Sequence, residues 1–181
     1  MSEVEIKGNR SRRVKRILAL IISGIFVVII LPVICILVSL YFDSLFNLPD
    51  IIPFPINVII GIIILVNGLF WAIWSNLELY ERGKGSPVPL KGTQTTVVVI
   101  SGPYKYTRNP MIFGYSLMWV GLGFLFNSII LLIGFALIIT ILLIIMVKVW
   151  EEKNLEKRFG TSYLEYKSKV SFLIPLPSKK T

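Results

Sequence analysis

The chain has no histidine, a single cysteine, and only 10 acidic residues against 19 basic ones. Without histidine, the commonest metal ligand and the commonest general base near neutral pH are both missing. One cysteine, Cys35, excludes an intramolecular disulfide and a cysteine-cluster metal site. Charge of either sign is absent from three long stretches, Ile17 to Phe42, Ile51 to Leu77 and Met111 to Val147. Such runs exclude an ordinary soluble domain, because a chain that is 55% apolar with a mean hydropathy of +0.78 has too few polar residues to cover its surface.

What is present is therefore a membrane protein. A helix crossing ~30 Å of hydrocarbon needs ~20 residues, so the third run is too long for one crossing. It contains Asn127-Ser128, a polar pair suited to a tight turn. The expected spans are about 17–42, 56–77, 111–126 and 128–147. The expected fold is an all-α integral membrane protein, one domain over residues 1–181, with four transmembrane helices and a C-terminal interfacial helix. A basic N-terminus before an apolar run also imitates a secretory leader. The run exceeds the length of a leader's apolar region and ends without a small-x-small cleavage site, so it is kept as a span.

Orientation follows from the basic residues, which concentrate in cytoplasmic loops. Lys7, Arg10, Arg12, Arg13, Lys15 and Arg16 precede the first span, Arg82, Lys84, Lys91, Lys105 and Arg108 separate the second from the third, and the rest follow the fourth. The opposite side offers only Asp43 and Asp50, so both termini are expected to be cytoplasmic. The net charge of +9 fits anionic lipid headgroups flanking the spans, and no nucleic-acid partner is expected.

Along the chain, residues 1–16 form a basic cytoplasmic tail, Pro32 predicts a kink in the first span, and Asp43 to Pro55 is an outer loop. Trp71, Trp74 and Tyr80 suit the membrane interface. Gly83 to Pro89 is too rich in Gly and Pro for a helix, and Thr93 to Ile100 is β-branched enough to be extended. Residues 148–169 read as one helix, with Leu155, Phe159, Tyr163 and Tyr166 at helical spacing. Phe172-Leu173-Ile174 then returns to the interface.

Chemistry-bearing residues gather in two polar stretches that bracket the third run. Asn109 before Pro110 signals a helix start, since Asn caps free N–H groups and Pro suits the first helical position. Arg108 beside that positive helix end suits an anion such as a phosphate or a carboxylate; the other reading is an arginine that snorkels to lipid phosphate. Glu151 and Glu152 close the fourth span, where a helix ending there would disfavour negative charge. They suit an ammonium, a ribose hydroxyl or a proton. The alternative is a solvated helix with Lys148 and Glu152 paired one turn apart. Tyr104, Tyr106, Tyr163 and Tyr166 offer ring faces to a sulfonium or quaternary ammonium, or serve as interface anchors. Gly83-x-Gly85 lacks the flanking strand and helix of a nucleotide-binding loop.

Taken together, Gly-x-Gly-Ser-Pro-x-Pro (83–89), Gly-Pro-Tyr-x-Tyr-x-Arg-Asn-Pro-Met (102–111) with Gly114, and Glu-Glu-x-x-Leu-x-x-x-Phe-Gly-x-x-Tyr-x-x-Tyr (151–166) ending in Ile174-Pro175 resemble the isoprenylcysteine carboxyl methyltransferase and phospholipid methyltransferase superfamily. The likeness covers about residues 80–175. It implies an integral membrane methyltransferase using S-adenosylmethionine, bound at the cytoplasmic ends of the last two spans, with a lipid or small hydrophobic acceptor and no metal. By motif position it implies a pocket framed by Gly83, Gly85, Gly102, Pro103, Tyr104, Arg108, Asn109 and Pro110. Glu151 and Glu152 would meet the cofactor's polar groups, Arg108 and Glu152 would be catalytic, and Tyr163 and Tyr166 would shape the substrate side. Asn109 stands where many carboxyl methyltransferases carry histidine, and Ile112 where relatives commonly have tyrosine. Asn-Pro-Met is similar to the phospholipid N-methyltransferase side. Two alternatives remain: an NADPH-dependent membrane lipid or sterol double-bond reductase, and a non-catalytic lipid-binding membrane protein.

Overall fold

The structure, a computed structural model, describes residues 26–83 and 95–177. The basic tail, the start of the first span and residues 84–94, which include Gly85 and most of the Gly/Pro loop, lie outside the described residues. Among the described residues the chain is helical. Helix α1 spans Leu31–Leu45, α2 Ile56–Arg82, α3 Pro110–Leu125, α4 Ile130–Phe159 and α5 Thr161–Lys169. The only β pairing among the described residues is an isolated parallel bridge between Thr107 and Ser171, so residues 95–100 are irregular rather than a strand.

Helices α2 and α4 are long and apolar enough to cross a bilayer, and only 17% of the most apolar window of each is buried. A core helix of a soluble protein hides that surface; here large apolar side chains such as Ile63, Phe70, Ile133 and Leu142 face outward. That surface belongs in lipid. Helices α1 and α3 are shorter and equally apolar. Pro32, expected to kink the first span, sits in the first turn of α1 directly after a π-helical turn, Phe26–Ile30. A proline lacks the N–H that would continue the regular ladder, and a π turn is one way to absorb the loss.

Helices α2 and α3 run antiparallel along a seam of glycines. A Cβ on Gly68 would stand 2.6 Å from the Gly114 carbonyl oxygen, and one on Gly114 would stand 2.6 Å from that of Gly68. One turn pair away, Gly61 and Gly121 repeat the contact, against Leu125 N at 2.6 Å and Leu65 N at 2.8 Å. Without side chains at these positions the two backbones touch, which is how helices gain packing energy in lipid, where no hydrophobic effect drives them together. On the other side of α3, Trp119 packs with Cys35 of α1 and with Leu131 and Ala136 of α4 to form the small apolar core.

The turn expected at Asn127-Ser128 is present, and its chemistry is visible. Asn127 takes a left-handed φ of 52°, which asparagine tolerates better than most residues. Its side chain accepts from Ile51 and Ile52 N–H and donates to the Ile52 carbonyl, so one residue ties two loops. Ser128 Oγ accepts the Leu131 N–H and caps α4. Asp43 Oδ1 accepts the Ile130 N–H, which brings the end of α1 to the same level.

The helix expected over 148–169 is two. Helix α4 continues past Glu151 and Glu152 to Phe159, and Gly160, at φ 54° and ψ −129°, breaks the chain before α5. A β-carbon strongly disfavours that conformation. Substituting Gly68 or Gly121 with valine is expected to force the seam apart and cost about 1–3 kcal/mol. Gly134→Ala, whose new carbon meets only Ile130 Cγ2 at 3.6 Å, is expected to leave stability unchanged. Thermal unfolding in detergent, followed by helical circular dichroism, distinguishes the two.

Candidate functional site

The end of the molecule opposite Asn127 gathers the polar motifs. Glu78, in the last turns of α2, is 9% exposed and organises the first of them. Its Oε1 accepts from Ser101 Oγ and pairs with Arg82 Nε at 2.8 Å. Gly102 passes directly over this carboxylate with φ 55°; a Cβ there would stand 2.7 Å from Glu78 Cδ. Glycine is needed at this position both for its conformation and for its missing side chain. The following 3-10 turn, Gly102–Lys105, buries Pro103. Gly83 ends α2, and its carbonyl accepts the Thr96 N–H at 3.0 Å. A side chain on it would meet Thr95 Cγ2 at 2.8 Å.

Residues 106–109 are clasped by the C-terminal segment. Arg108 N–H donates to the Ser171 carbonyl at 2.9 Å, and Leu176 N–H donates to Tyr106 O at 2.9 Å. Thr107 Oγ1 and Asn109 Nδ2 both donate to the Phe172 carbonyl, at 3.1 Å and 2.8 Å. Asn109 therefore does not cap α3 with its side chain, as its position before Pro110 suggested; it anchors the clasp instead. The Phe172 ring meets two cations, with Arg108 Cζ 5.5 Å and Lys148 Nζ 4.8 Å from its centroid.

The clasp aims Arg108 at Glu152. Their Nη1 and Oε1 atoms stand 2.6 Å apart, with side chains 10% and 8% exposed. Glu152 Oε2 pairs with Lys167 Nζ of α5 at 2.9 Å, and Lys167 continues to Glu156 at 2.7 Å. A π-helical turn, Val147–Glu151, immediately precedes Glu152. The wider turn changes the helical register, and Glu152 is buried while Glu151 is on the surface. The Lys148–Glu152 pair of the simpler sequence reading does not form: Lys148 covers Phe172, and Glu152 meets Arg108 and Lys167. Because α4 does not stop at residue 151, no helix-end dipole opposes these carboxylates.

The pair is close but not saturated. Arg108 Nε and Nη1 and Glu152 Oε1 are buried without an aligned hydrogen-bond partner. Unsatisfied buried donors and acceptors are costly unless something completes them. Nη1 and Oε1 already face each other at 2.6 Å, so Arg108 Nε is the atom of the pair left without a contact, and it suits an acceptor such as a carboxylate or phosphate oxygen.

Tyrosines wall the site. Tyr163 is 3% exposed and Tyr166 9%; they pack with Tyr104, Leu155 and Phe159, and Tyr166 Oη donates to the Tyr104 carbonyl at 2.8 Å. Burial pushes the Tyr163 hydroxyl up to about 12, with Glu152 adding and Arg108 pulling back. Burial also raises Tyr104, helped by Glu151 and then Glu78, and raises Tyr166. Glu151, although at the surface, has its carboxyl crowded enough that desolvation raises its pKa, with the neighbouring charge of Glu152 adding. Hydrogen bonds to Glu156 and Glu152 raise Lys167. The structure thus brings Tyr104, Arg108, Asn109, Glu152, Tyr163 and Tyr166 together, and sets Gly102, Pro103 and Pro110 beneath them. It holds Gly83 apart against Thr95 and Thr96.

Sequence reasoning missed Glu78, Lys167 and Phe172. Glu78 carried one usable signal, a carboxylate one turn before Arg82 at the end of an apolar helix. Lys167 and Phe172 carried none, because their partners are distant in the chain.

Residues 56–162, well over half of the chain, match the family model described as phospholipid methyltransferase. The match includes residues 102–111 and the part of the second motif up to residue 162, and ends before Tyr163, Tyr166, Lys167 and Phe172. No curated protein matches the chain. Removing one partner of a buried ion pair costs about 3–5 kcal/mol, so Glu152→Gln is expected to lower stability by that order. The Arg108→Gln, Glu152→Gln double variant is expected to lose less than the sum, with a coupling above about 0.5 kcal/mol. Strict additivity in a double-mutant cycle of unfolding free energies would show that the pair contributes nothing.

Proposed function

The chain belongs to the phospholipid methyltransferase family, and from that premise we propose that it is an S-adenosylmethionine-dependent methyltransferase acting on a lipid or small hydrophobic acceptor at the cytoplasmic membrane face. It crosses the bilayer four times with both termini on the positively charged side. The observation that carries the reading is the buried Arg108–Glu152 ion pair, with Arg108 Nε left without a partner.

Arg108 would hold the cofactor's carboxylate, and Glu152 and Glu151 would take its ammonium or ribose hydroxyls. Gly102, Pro103, Tyr104, Asn109 and Pro110 frame the pocket, Gly83 stands apart from it, and Tyr163 and Tyr166 close the substrate side. The cofactor supplies a methyl group already activated on a sulfonium, so the protein's work is positioning and exclusion of water. An acceptor that arrives ionised needs no base. An amine acceptor must lose a proton, and Glu152 has both carboxylate oxygens set against cations. Glu151, with no such partner in the site and a raised pKa, is then the better proton acceptor.

Calorimetric titration of the detergent-solubilised protein with S-adenosylhomocysteine is expected to give micromolar binding. Glu152→Gln should weaken it about tenfold or more, the effect of losing a charged hydrogen bond. NADPH titrated in parallel is expected not to bind. Binding of NADPH alone would assign a membrane reductase, and binding of neither, in protein that retains its helical signal, would assign a lipid-binding role without catalysis.

A further inference from the structure

Of the four residues in the ion-paired cluster, Arg108, Glu152, Glu156 and Lys167, only Lys167 lies beyond the residues matched by the family model. It belongs to α5, which follows α4 after the break at Gly160. Its ammonium stands 2.9 Å from Glu152 Oε2 and 2.7 Å from Glu156 Oε1. The two glutamates are one turn apart on α4, so a single cation reaches both. The Glu156 contact is half open to solvent, and pairs of that kind contribute little. The Glu152 contact is made to a carboxylate that is 8% exposed, where charge is felt more strongly.

What Lys167 does to Glu152 bears on Arg108. A guanidinium is a planar fork with two bidentate edges, Nη1 with Nη2 and Nη2 with Nε, and a free carboxylate takes one edge with both oxygens. Glu152 does not do this. Its Oε1 stands 2.6 Å from Nη1, while its Oε2 is drawn away to Lys167. Released from Lys167, Oε2 would turn toward Nη2, the atom that both edges share. Arg108 Nε, on the other edge, is buried and has no hydrogen-bond partner. A second carboxylate can take that edge in bidentate fashion only while Glu152 leaves Nη2 alone.

We propose that Lys167 is a positioning residue for Arg108: by holding Glu152 Oε2 it keeps that carboxylate from forking the guanidinium, and so reserves the Nη2–Nε edge for the carboxylate of the cofactor. The proposal rests on the methyltransferase reading for what fills that edge; the effect of Lys167 on the Arg108–Glu152 pair does not.

The test titrates S-adenosylhomocysteine and its decarboxylated form, which keeps the amine and lacks the carboxylate, calorimetrically into the detergent-solubilised protein. The natural sequence is expected to prefer the first about tenfold or more, the effect of a charged hydrogen bond. Lys167→Met should reduce that preference to less than about threefold, and Lys167→Arg should retain it. A general loosening of α5 would weaken both ligands together and leave their ratio unchanged. Two further variants separate positioning from charge. Glu156→Gln, which removes the surface partner of Lys167, should keep the preference. Lys167→Met combined with Glu156→Gln carries the net charge of the natural sequence and should still lack it. Equal affinity of the natural sequence for the two ligands, a preference that survives Lys167→Met, or one that returns in the combined variant would each overturn the proposal. The ion pair is also read without any ligand, by the double-mutant cycle of Arg108→Gln and Glu152→Gln repeated on Lys167→Met. There the coupling should grow by about threefold or more in the unfolding constant, and a coupling that is unchanged or smaller would overturn the hold of Lys167 on the pair. Binding of neither ligand with a grown coupling would remove the methyltransferase reading and keep that hold.

Discussion

The backbone contact between α2 and α3 is the constraint on which the rest depends. Gly61 and Gly68 face Gly121 and Gly114 so closely that neither helix can slide or rotate without collision. In lipid, packing of this kind supplies much of what holds helices together. The seam fixes the end of α2 relative to the start of α3, and so brings Glu78 beneath Gly102 and sets Arg108 at a defined height. The apolar core of Cys35, Trp119, Leu131 and Ala136 then docks α1 and α4 on the far side of α3.

On this frame the polar end is built by long-range pairing rather than by local structure. The clasp between residues 106–109 and 171–176 consumes the backbone groups that an irregular loop would otherwise leave unpaired. It also places the Phe172 ring against both Arg108 and Lys148, which restricts where the guanidinium can go. Adjacent positions on a helix point about 100° apart, so of the two neighbouring glutamates Glu152 is held by cations inside and Glu151 is at the surface. Two carboxylates side by side in sequence thereby acquire different electrostatic surroundings and different chemistry.

Much of this was legible in the sequence where the signal was local. Apolar runs gave two long helices and two shorter ones, and Asn127-Ser128 gave the turn, because asparagine supplies the left-handed φ and serine the cap. The motifs pointed to Arg108 and Glu152, which do meet. Where the reading failed, tertiary partners outbid local preference. Asn109 looked like a helix cap and instead holds Phe172 O; Lys148 looked like a partner for Glu152 and instead covers a ring; 148–169 looked like one helix and bends at Gly160. Glycines seven apart on two helices gave no sign individually, since their meaning appears only when the helices are set side by side.

Hydropathy and turn chemistry by themselves determined that this is a helical membrane protein with a tight turn at Asn127-Ser128, because each of these is a property of neighbouring residues in one medium. Tertiary structure alone decided which cation meets Glu152 and which glutamate stays free. Those outcomes depend on side chains tens of residues apart arriving at one place, and on the few ångströms by which the glycine seam lets two backbones approach.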